Sequence, residues 1–152
     1  MLKLVAKASN AQVLFGEKEM TSIVLEGNYS SIKKWSFLND IENNFCFKLH
    51  LKNIRGTAVF PTIHIHLETN KDSPRIGSLA LYGLKNSSFN KDGSVEKKGF
   101  TEVIEIDDIL KSMIKEAILS RQPLSLKLIP RHPIKKSISF TIDEVELYCR
   151  IG

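Results

Sequence analysis

Residues 45–70 read FCFKLHLKNIRGTAVFPTIHIHLETN, and apolar and polar side chains alternate along most of this stretch. Because successive side chains of a β-strand point to opposite faces, a period of two predicts strands with one buried and one exposed face. The first strand runs over 45–53 and the second over 58–68. We expect them to be the central strands of the fold.

The same period of two dominates the rest of the chain. Strand patterns separated by clusters of Gly, Asn, Asp and Pro occupy 2–7, 11–15, 20–26, 45–53, 58–68, 76–82, 100–106, 123–129 and 137–151. Many short strands with turn residues between them predict an all-β fold, an antiparallel β-sandwich of jelly-roll-like or Greek-key type. The chain has no internal repeat or linker, so residues 1–152 are predicted to form a single domain.

One segment departs from the strand pattern. DDILKSMIKEAILS, which starts at Asp107, places apolar residues at helical spacing, and its first aspartate can cap free N–H groups. We expect one short amphipathic helix at about 107–119, crossing one end of the sandwich. The region from Asn28 to Asn44 is interpreted as a long connection held down by Trp35 and Phe37.

Composition limits the function classes. The chain of 152 residues is 42% hydrophobic and 26% charged, as in ordinary soluble domains. No apolar run reaches the roughly 18 residues of a membrane-spanning helix and no signal peptide is evident, so a cytoplasmic location is expected. The net charge of +5 comes from short basic runs without interleaved exposed aromatics, which argues against specific nucleic-acid binding. Cys46 and Cys149 are expected to be buried free thiols.

Motifs of common enzymes do not occur in the sequence. It has no glycine-rich phosphate loop, no Gly-x-Ser-x-Gly elbow and no HExxH helix. The pair Asp107-Asp108 is better explained by helix capping, and the pair Asp143-Glu144 by turn-facing positions in the last hairpin, than by acid–base catalysis. We therefore expect no catalytic residue in this chain.

Three histidines are the candidate metal ligands. On an extended strand His64 and His66 project to the same face, a geometry that can chelate Zn²⁺ or Cu²⁺ if a third ligand converges. His50 would supply that ligand if the strands over 45–53 and 58–68 pair as a hairpin. The alternative is an exposed sheet face that carries polar rings and no metal.

The order of these motifs resembles a known domain. The block LKNIRGTAVFPTIHIHLETNKDSPRIGSLALYGL is similar to the C-terminal β-sandwich domain of tyrosinases and polyphenol oxidases, in which a Leu-x-Asn/Asp-Ile/Val-x-Gly turn precedes a strand and then a Gly-Ser/Thr-Leu strand. FTEVIEIDDILKSM, LSLKLIPR and SFTIDEVELY resemble that domain's strand and short helix, its Leu-x-Leu-Val-Pro strand and its closing strand. The resemblance covers about Ala6 to Ile151, and the family's typical strand carries aromatic residues where this chain has His64 and His66.

The resemblance implies a structural role beside an oxidase. In that family a separate helical domain holds two coppers through histidines of antiparallel helices. This chain has four histidines, none in its predicted helix, so it is expected to hold no dicopper site and no cofactor, copper belonging only to a partner domain. The family's C-terminal domain packs over the copper domain and, in latent forms, places a bulky side chain in the substrate entrance. Phe89, in the polar loop 85–99, is the candidate for that side chain, or else a local anchor that packs back on the sheet.

The predicted function is therefore non-catalytic. We expect a β-sandwich that packs on a partner protein surface and caps or regulates a type 3 copper oxidase, either as a freestanding chain or as a fragment of a larger oxidase. One alternative is a small metal-binding module that uses His50, His64 and His66. Another is a carbohydrate- or ligand-binding sandwich, which rests on analogy between folds alone.

Overall fold

A computed structural model describes residues 2–15, 20–29, 32–39, 44–56, 62–80, 99–132 and 138–151. The strands in these ranges are β1 (Leu2–Phe15), β2 (Thr21–Gly27), β3 (Phe45–Gly56), β4 (Ile63–Glu68), β5 (Arg75–Leu79), β6 (Phe100–Glu105), β7 (Leu124–Pro130) and β8 (Ile138–Ile151). The helices are α1 (Ile32–Trp35) and α2 (Lys111–Leu119), with 3₁₀ turns at Ser36–Asn39 and Asp108–Leu110. This confirms the predicted β-rich fold with a short helix near 107–119.

The described strands form one antiparallel sheet in the order β5-β4-β7-β2-β1-β8-β3-β6. Its two edge strands, β5 and β6, approach each other. A Cβ placed on Gly77 of β5 would lie only 3.0 Å from Cγ2 of Ile104 of β6. The sheet therefore curls into an almost closed barrel rather than a clear sandwich.

Strand β1 joins two segments that the sequence pattern separates. It runs without interruption through Asn10, whose φ of 51° lies in the left-handed region that asparagine tolerates. On both sides of this residue β1 pairs with β8, from Leu2 with Arg150 to Phe15 with Ile138. The local irregularity lets a long strand follow the curvature of the barrel.

The barrel interior is filled by the apolar side chains of alternate strand positions. Along β3, Phe45, Phe47, Leu49 and Leu51 are buried while the residues between them are half-buried. Cys149 also faces the interior, where burial raises the pKa of its thiol to about 11. Cys46 is a free thiol as expected, but it is only half-buried because it lies on the outer face of β3.

Helical segments cover one end of the barrel. Trp35 is 1% exposed and its Nε1 donates a hydrogen bond to the carbonyl of Asn28 at 2.7 Å. The ring of Phe37 lies 5.9 Å from that of Trp35 and packs against the core. Both aromatics therefore anchor the connection between β2 and β3, as predicted. At the start of the second helical segment, Oδ1 of Asp107 accepts from the N–H of Ile109 at 3.1 Å, which confirms the predicted cap.

Candidate functional site

The sheet order separates the three histidines that the sequence grouped as metal ligands. Strand β3, with His50, pairs with β6 and β8, whereas β4, with His64 and His66, pairs with β5 and β7. The expected hairpin between β3 and β4 is therefore wrong. Counted through β6 and β5, whose edges approach each other, β3 and β4 are three strand positions apart, which is roughly 14 Å at the usual strand spacing. Within the described residues no group of three His, Cys, Asp or Glu side chains is arranged to hold a metal ion.

His64 and His66 share the outer face of β4 and bind different partners. Nδ1 of His64 lies 2.9 Å from Oγ of Ser78. Nδ1 of His66 lies 2.9 Å from the carbonyl oxygen of Ser73. Since a carbonyl only accepts, Nδ1 of His66 carries the proton and donates it, which leaves Nε2 as the acceptor of that ring.

Positive charges surround this histidine pair. Burial lowers the pKa of His64, and the guanidinium groups of Arg75 and Arg131 lower it further. Lys127 stands opposite His66 on β7, with its charge paired to Glu68 at 3.4 Å. A cation bound here would meet like charges, so the surroundings favour the polar-face alternative over the metal hypothesis, which stays a prediction.

His50 belongs to a polar cluster that joins β3 to β8. Its ring packs edge-on against that of Tyr148, with centroids 5.0 Å apart. The hydroxyl of Tyr148 donates to Oε2 of Glu146 at 2.8 Å, and Nζ of Lys52 lies 2.5 Å from Oε1 of the same carboxylate. Tyr148, Glu146 and Lys52 were missed by sequence reasoning, because their grouping depends on the strand register.

The pKa shifts in this cluster follow from burial and from its charges. Burial lowers the pKa of His50, and the positive charge of Lys52 adds to the effect. Burial alone would raise the pKa of Glu146, but hydrogen bonds from Lys52 and Tyr148 outweigh it and hold the pKa below its ordinary value. Each side chain already has a partner, so the cluster stabilises the strand pair.

The second pair of carboxylates lies within β8 rather than at a turn, so the predicted turn-facing positions are wrong. Oδ1 of Asp143 lies 2.5 Å from an amino group of Arg55 on β3. Oε2 of Glu144 accepts from the hydroxyl of Ser9 on β1 at 2.9 Å. The two carboxylates thus bind side chains on neighbouring strands.

Three exposed apolar side chains lie on β1, on β2 and just before β2. Leu14 is 61% exposed, Met20 45% and Val24 72%, and we call these three residues the β1–β2 apolar face. The hydroxyl of Thr21 donates to the carbonyl of Leu14 at 2.6 Å, which holds the two strands together at this point. The sequence carries a signal for two of them, Leu14 and Val24. Each is the middle residue of an apolar triplet, Val13-Leu14-Phe15 or Ile23-Val24-Leu25. The outer residues of each triplet are buried, so the middle residue faces outward.

The fold and these surfaces define an antiparallel, almost closed β-barrel domain with helical segments at one end. The chain belongs to the family described as Domain of unknown function (DUF7868), whose model matches residues 2–150. No curated protein matches the chain. In the ranges that the structure describes, neither helix has the length and apolar character needed to cross a bilayer. Phe89 lies outside the described residues.

Proposed function

We propose that this chain is a non-catalytic domain that packs on the surface of a partner protein through the β1–β2 apolar face. The observation that carries the proposal is the exposure of Leu14 and Val24 on the neighbouring strands β1 and β2, and of Met20 just before β2. Side chains of this size are the usual core of a protein interface when polar residues surround them. Gln12 and Ser22, both exposed, lie beside them on the same strands.

Charged side chains on the outer surface of β3, β6 and β8 are occupied by contacts within the chain. Lys48 pairs with Glu105 at 3.2 Å, and the cluster of Lys52 and Glu146 binds β3 to β8. Such cross-strand pairs leave little for a partner to gain, because their charges are already neutralised. The β1–β2 apolar face differs in that its side chains lose water contact only when a second surface covers them.

The narrower proposal is that the partner is a type 3 copper oxidase, which this domain caps or regulates. It is supported by the order of the sequence motifs that resemble the oxidase C-terminal domain. The cytoplasmic location and the role of Phe89 as a side chain that enters the substrate entrance belong to the same proposal.

The test of the proposed surface is affinity purification of the tagged chain from its own host, compared with the double variant Leu14→Thr/Val24→Thr. Threonine keeps the strand propensity and removes most of the apolar area. Each lost contact costs about 1–2 kcal/mol at a hot spot, so retention of the partner should fall about tenfold or more. The matched control is Val103→Thr, an exposed valine on the outer face of β6.

Equal retention of the same partner by the wild type and the double variant would refute the proposed surface. The identity of the retained protein tests the narrower proposal separately. If it is a copper oxidase, the purified chain added to it should lower phenol oxidation, and Phe89→Ala should relieve the inhibition. If it has no copper, or if oxidation is unchanged, the oxidase proposal fails while the surface can still stand.

A further inference from the structure

Positive charge collects on the outer face of β4 and of the strands on either side of it. His66 stands in one row between Lys127 of β7 and Arg75 of β5. Arg131 follows β7, and its N–H donates to the carbonyl of Thr62 at 2.8 Å, which places it beside the start of β4. These residues come from three separate parts of the chain, so only the pairing of β4 with β5 and β7 brings them together. We call this set the histidine face, and its members are His64, His66, Arg75, Lys127 and Arg131.

Two arginines of the histidine face are free to bind an external anion. Arg75 and Arg131 are both exposed, and among the described residues no carboxylate lies within salt-bridge distance of either guanidinium. The lysines and the arginine of β3 differ, since each is paired with a carboxylate: Lys48 with Glu105, Lys52 with Glu146 and Arg55 with Asp143. The fold therefore neutralises the charges on β3 and leaves those of the two arginines unbalanced.

Two half-buried imidazole rings lie between these cations, and each is held through one nitrogen. Nδ1 of His64 contacts the hydroxyl of Ser78. Nδ1 of His66 donates to the carbonyl of Ser73. Within the part of the chain that the structure describes, Nε2 of neither ring has a hydrogen-bond partner. Each ring thus offers a fixed flat surface and an unused polar atom.

The charges of this face act together on one ring. Burial lowers the pKa of His64, and the guanidinium groups of Arg75 and Arg131 lower it further, one from β5 and one from the end of β7. Glu68 is the carboxylate of β4 itself, and it is paired with Lys127 at 3.4 Å. Surroundings that disfavour a proton on the histidine favour an anion beside it, for the same electrostatic reason.

The spacing of the cations fits an extended ligand. At the usual strand spacing, the backbone positions of Lys127 and Arg75 are about 10 Å apart across β4. The level of Thr62, beside which Arg131 lies, is roughly 13 Å along β4 from the level of His66. Cations spread over such a strip on an open sheet surface suit a polymer with repeated negative charges, whereas a small ligand needs a concave pocket.

We propose that the histidine face binds single-stranded nucleic acid, with its three cations on the phosphates and its two histidine rings against the bases. Cations that follow the backbone, combined with rings on which bases stack, are the usual elements of such surfaces. This mode of binding does not read the base sequence, so it agrees with the expected lack of specific nucleic-acid recognition. The inference goes beyond the proposed partner surface and does not depend on it.

Other polyanions fit the face less well. An acidic peptide would use the cations but would give the two rings no stacking partner. An anionic membrane would bind more strongly if apolar side chains entered it, but Ile129, which stands opposite His64 in the outer row, is half-buried. Both polyanions therefore serve as comparison ligands in the test.

The test is a fluorescence anisotropy titration of the full chain with a labelled oligothymidylate of about twelve nucleotides. Affinity should fall as NaCl rises from about 50 to 200 mM, because each phosphate contact releases counterions. Polyglutamate of matched charge and vesicles that contain phosphatidylserine are added as competitors. Neither should displace the oligonucleotide at an equal concentration of negative charge.

Two double variants separate the cations from the rings. Arg75→Gln/Arg131→Gln should lower the affinity about tenfold or more and reduce the slope of log K against log salt by about 1.4. His64→Gln/His66→Gln keeps polar side chains but removes the rings, so the affinity should fall about fivefold or more with the slope unchanged. Thermal melts of each variant confirm that it is folded.

The matched control is Arg121→Gln/Arg150→Gln, which removes two exposed arginines outside the histidine face and gives the same net charge as the arginine variant. It should bind as the wild type does. Binding that is weakened by both histidine-face variants and not by the control supports the proposal.

The proposal is overturned if the oligonucleotide does not bind at low salt, or if the control loses as much affinity as the arginine variant. It is also overturned if polyglutamate competes equally well or the histidine variant keeps full affinity, since the face would then recognise charge alone. Displacement of the oligonucleotide by the vesicles would assign the face to a membrane surface instead.

Discussion

Gly27 and Tyr29 show how closely single residues fit at the end of β2. The space that a side chain would need at Gly27 is filled by the Tyr29 ring, 2.3 Å from the position of a Cβ. That ring in turn is fixed by its hydrogen bond to Gln122 and by burial, which raises the pKa of its hydroxyl. The sequence shows a glycine before a tyrosine, and only the packing shows why it is needed.

Gly27→Ala should therefore destabilise the protein by about 1–3 kcal/mol, because the Tyr29 ring must leave its place or the strand must shift. Urea unfolding of the two proteins measures the difference. The matched control is Gly77→Ala, whose Cβ would meet the Ile104 side chain at 3.0 Å, a contact that a small side-chain adjustment relieves. An equal loss in both variants would contradict the explanation.

The face of the sheet on which a side chain lies could be predicted from the sequence more reliably than the residues that it contacts. The alternation in β3 predicts that His50 faces outward, which the structure confirms. Its neighbours Glu146 and Tyr148 could not be predicted, because a shift of the β3–β8 register would give His50 another partner. The same reason explains why the three histidines were grouped incorrectly.

The helix α2 is joined to the barrel by one buried cation. Lys111 is 9% exposed, and its Nζ donates to the carbonyl of Phe45 at 2.7 Å. The same ammonium group lies 5.1 Å from the centroid of the Phe45 ring and 3.5 Å from Oδ1 of Asp108. Helical spacing and the Asp107 cap predicted this element, but the apolar pattern gave no reason to place a lysine against the sheet.

Replacing Lys111 with methionine keeps the length of the side chain and removes the donor. Because a buried carbonyl then loses its charged partner, we expect a loss of about 1–3 kcal/mol in the free energy of unfolding. Lys115→Met, on the same helix but half-buried, should change it by less than about 0.5 kcal/mol. Urea unfolding of both variants checks this, and a harmless Lys111→Met would show that packing alone holds the helix.

At the scale of the whole molecule, the surroundings of two histidines predict how stability depends on pH. Sheet curvature brings the edge strands β5 and β6 close to each other, and we call the line along which they approach the β5–β6 seam. His50 and His64 lie on opposite sides of the β5–β6 seam, and the pKa of each is lowered by burial and by neighbouring cations. The folded protein therefore binds fewer protons at these sites than the unfolded chain does.

This difference predicts how stability depends on pH. The unfolded histidines take up protons near pH 6.5, and the folded ones only at lower pH, so stability is greatest above about pH 6.5 and falls as the pH drops through the folded pKa values. Thermal melts from pH 7.5 to pH 5 should show a falling melting temperature. The double variant His50→Gln/His64→Gln should flatten that fall, and His132→Gln, at an exposed position, should not. A steeper fall in the double variant would show that folding raises the pKa values of these histidines instead of lowering them.

The sequence by itself determined the antiparallel β-rich class, most strand positions, the capped helix near 107–119 and the anchoring by Trp35, because these depend on local periodicity and on side chains close in the chain. Only the tertiary structure decided the strand order, and with it the separation of His50 from His64 and His66. It also decided which charged side chains pair between strands, such as Lys52 with Glu146. Strand order and register are set by contacts between distant segments, which local patterns do not encode.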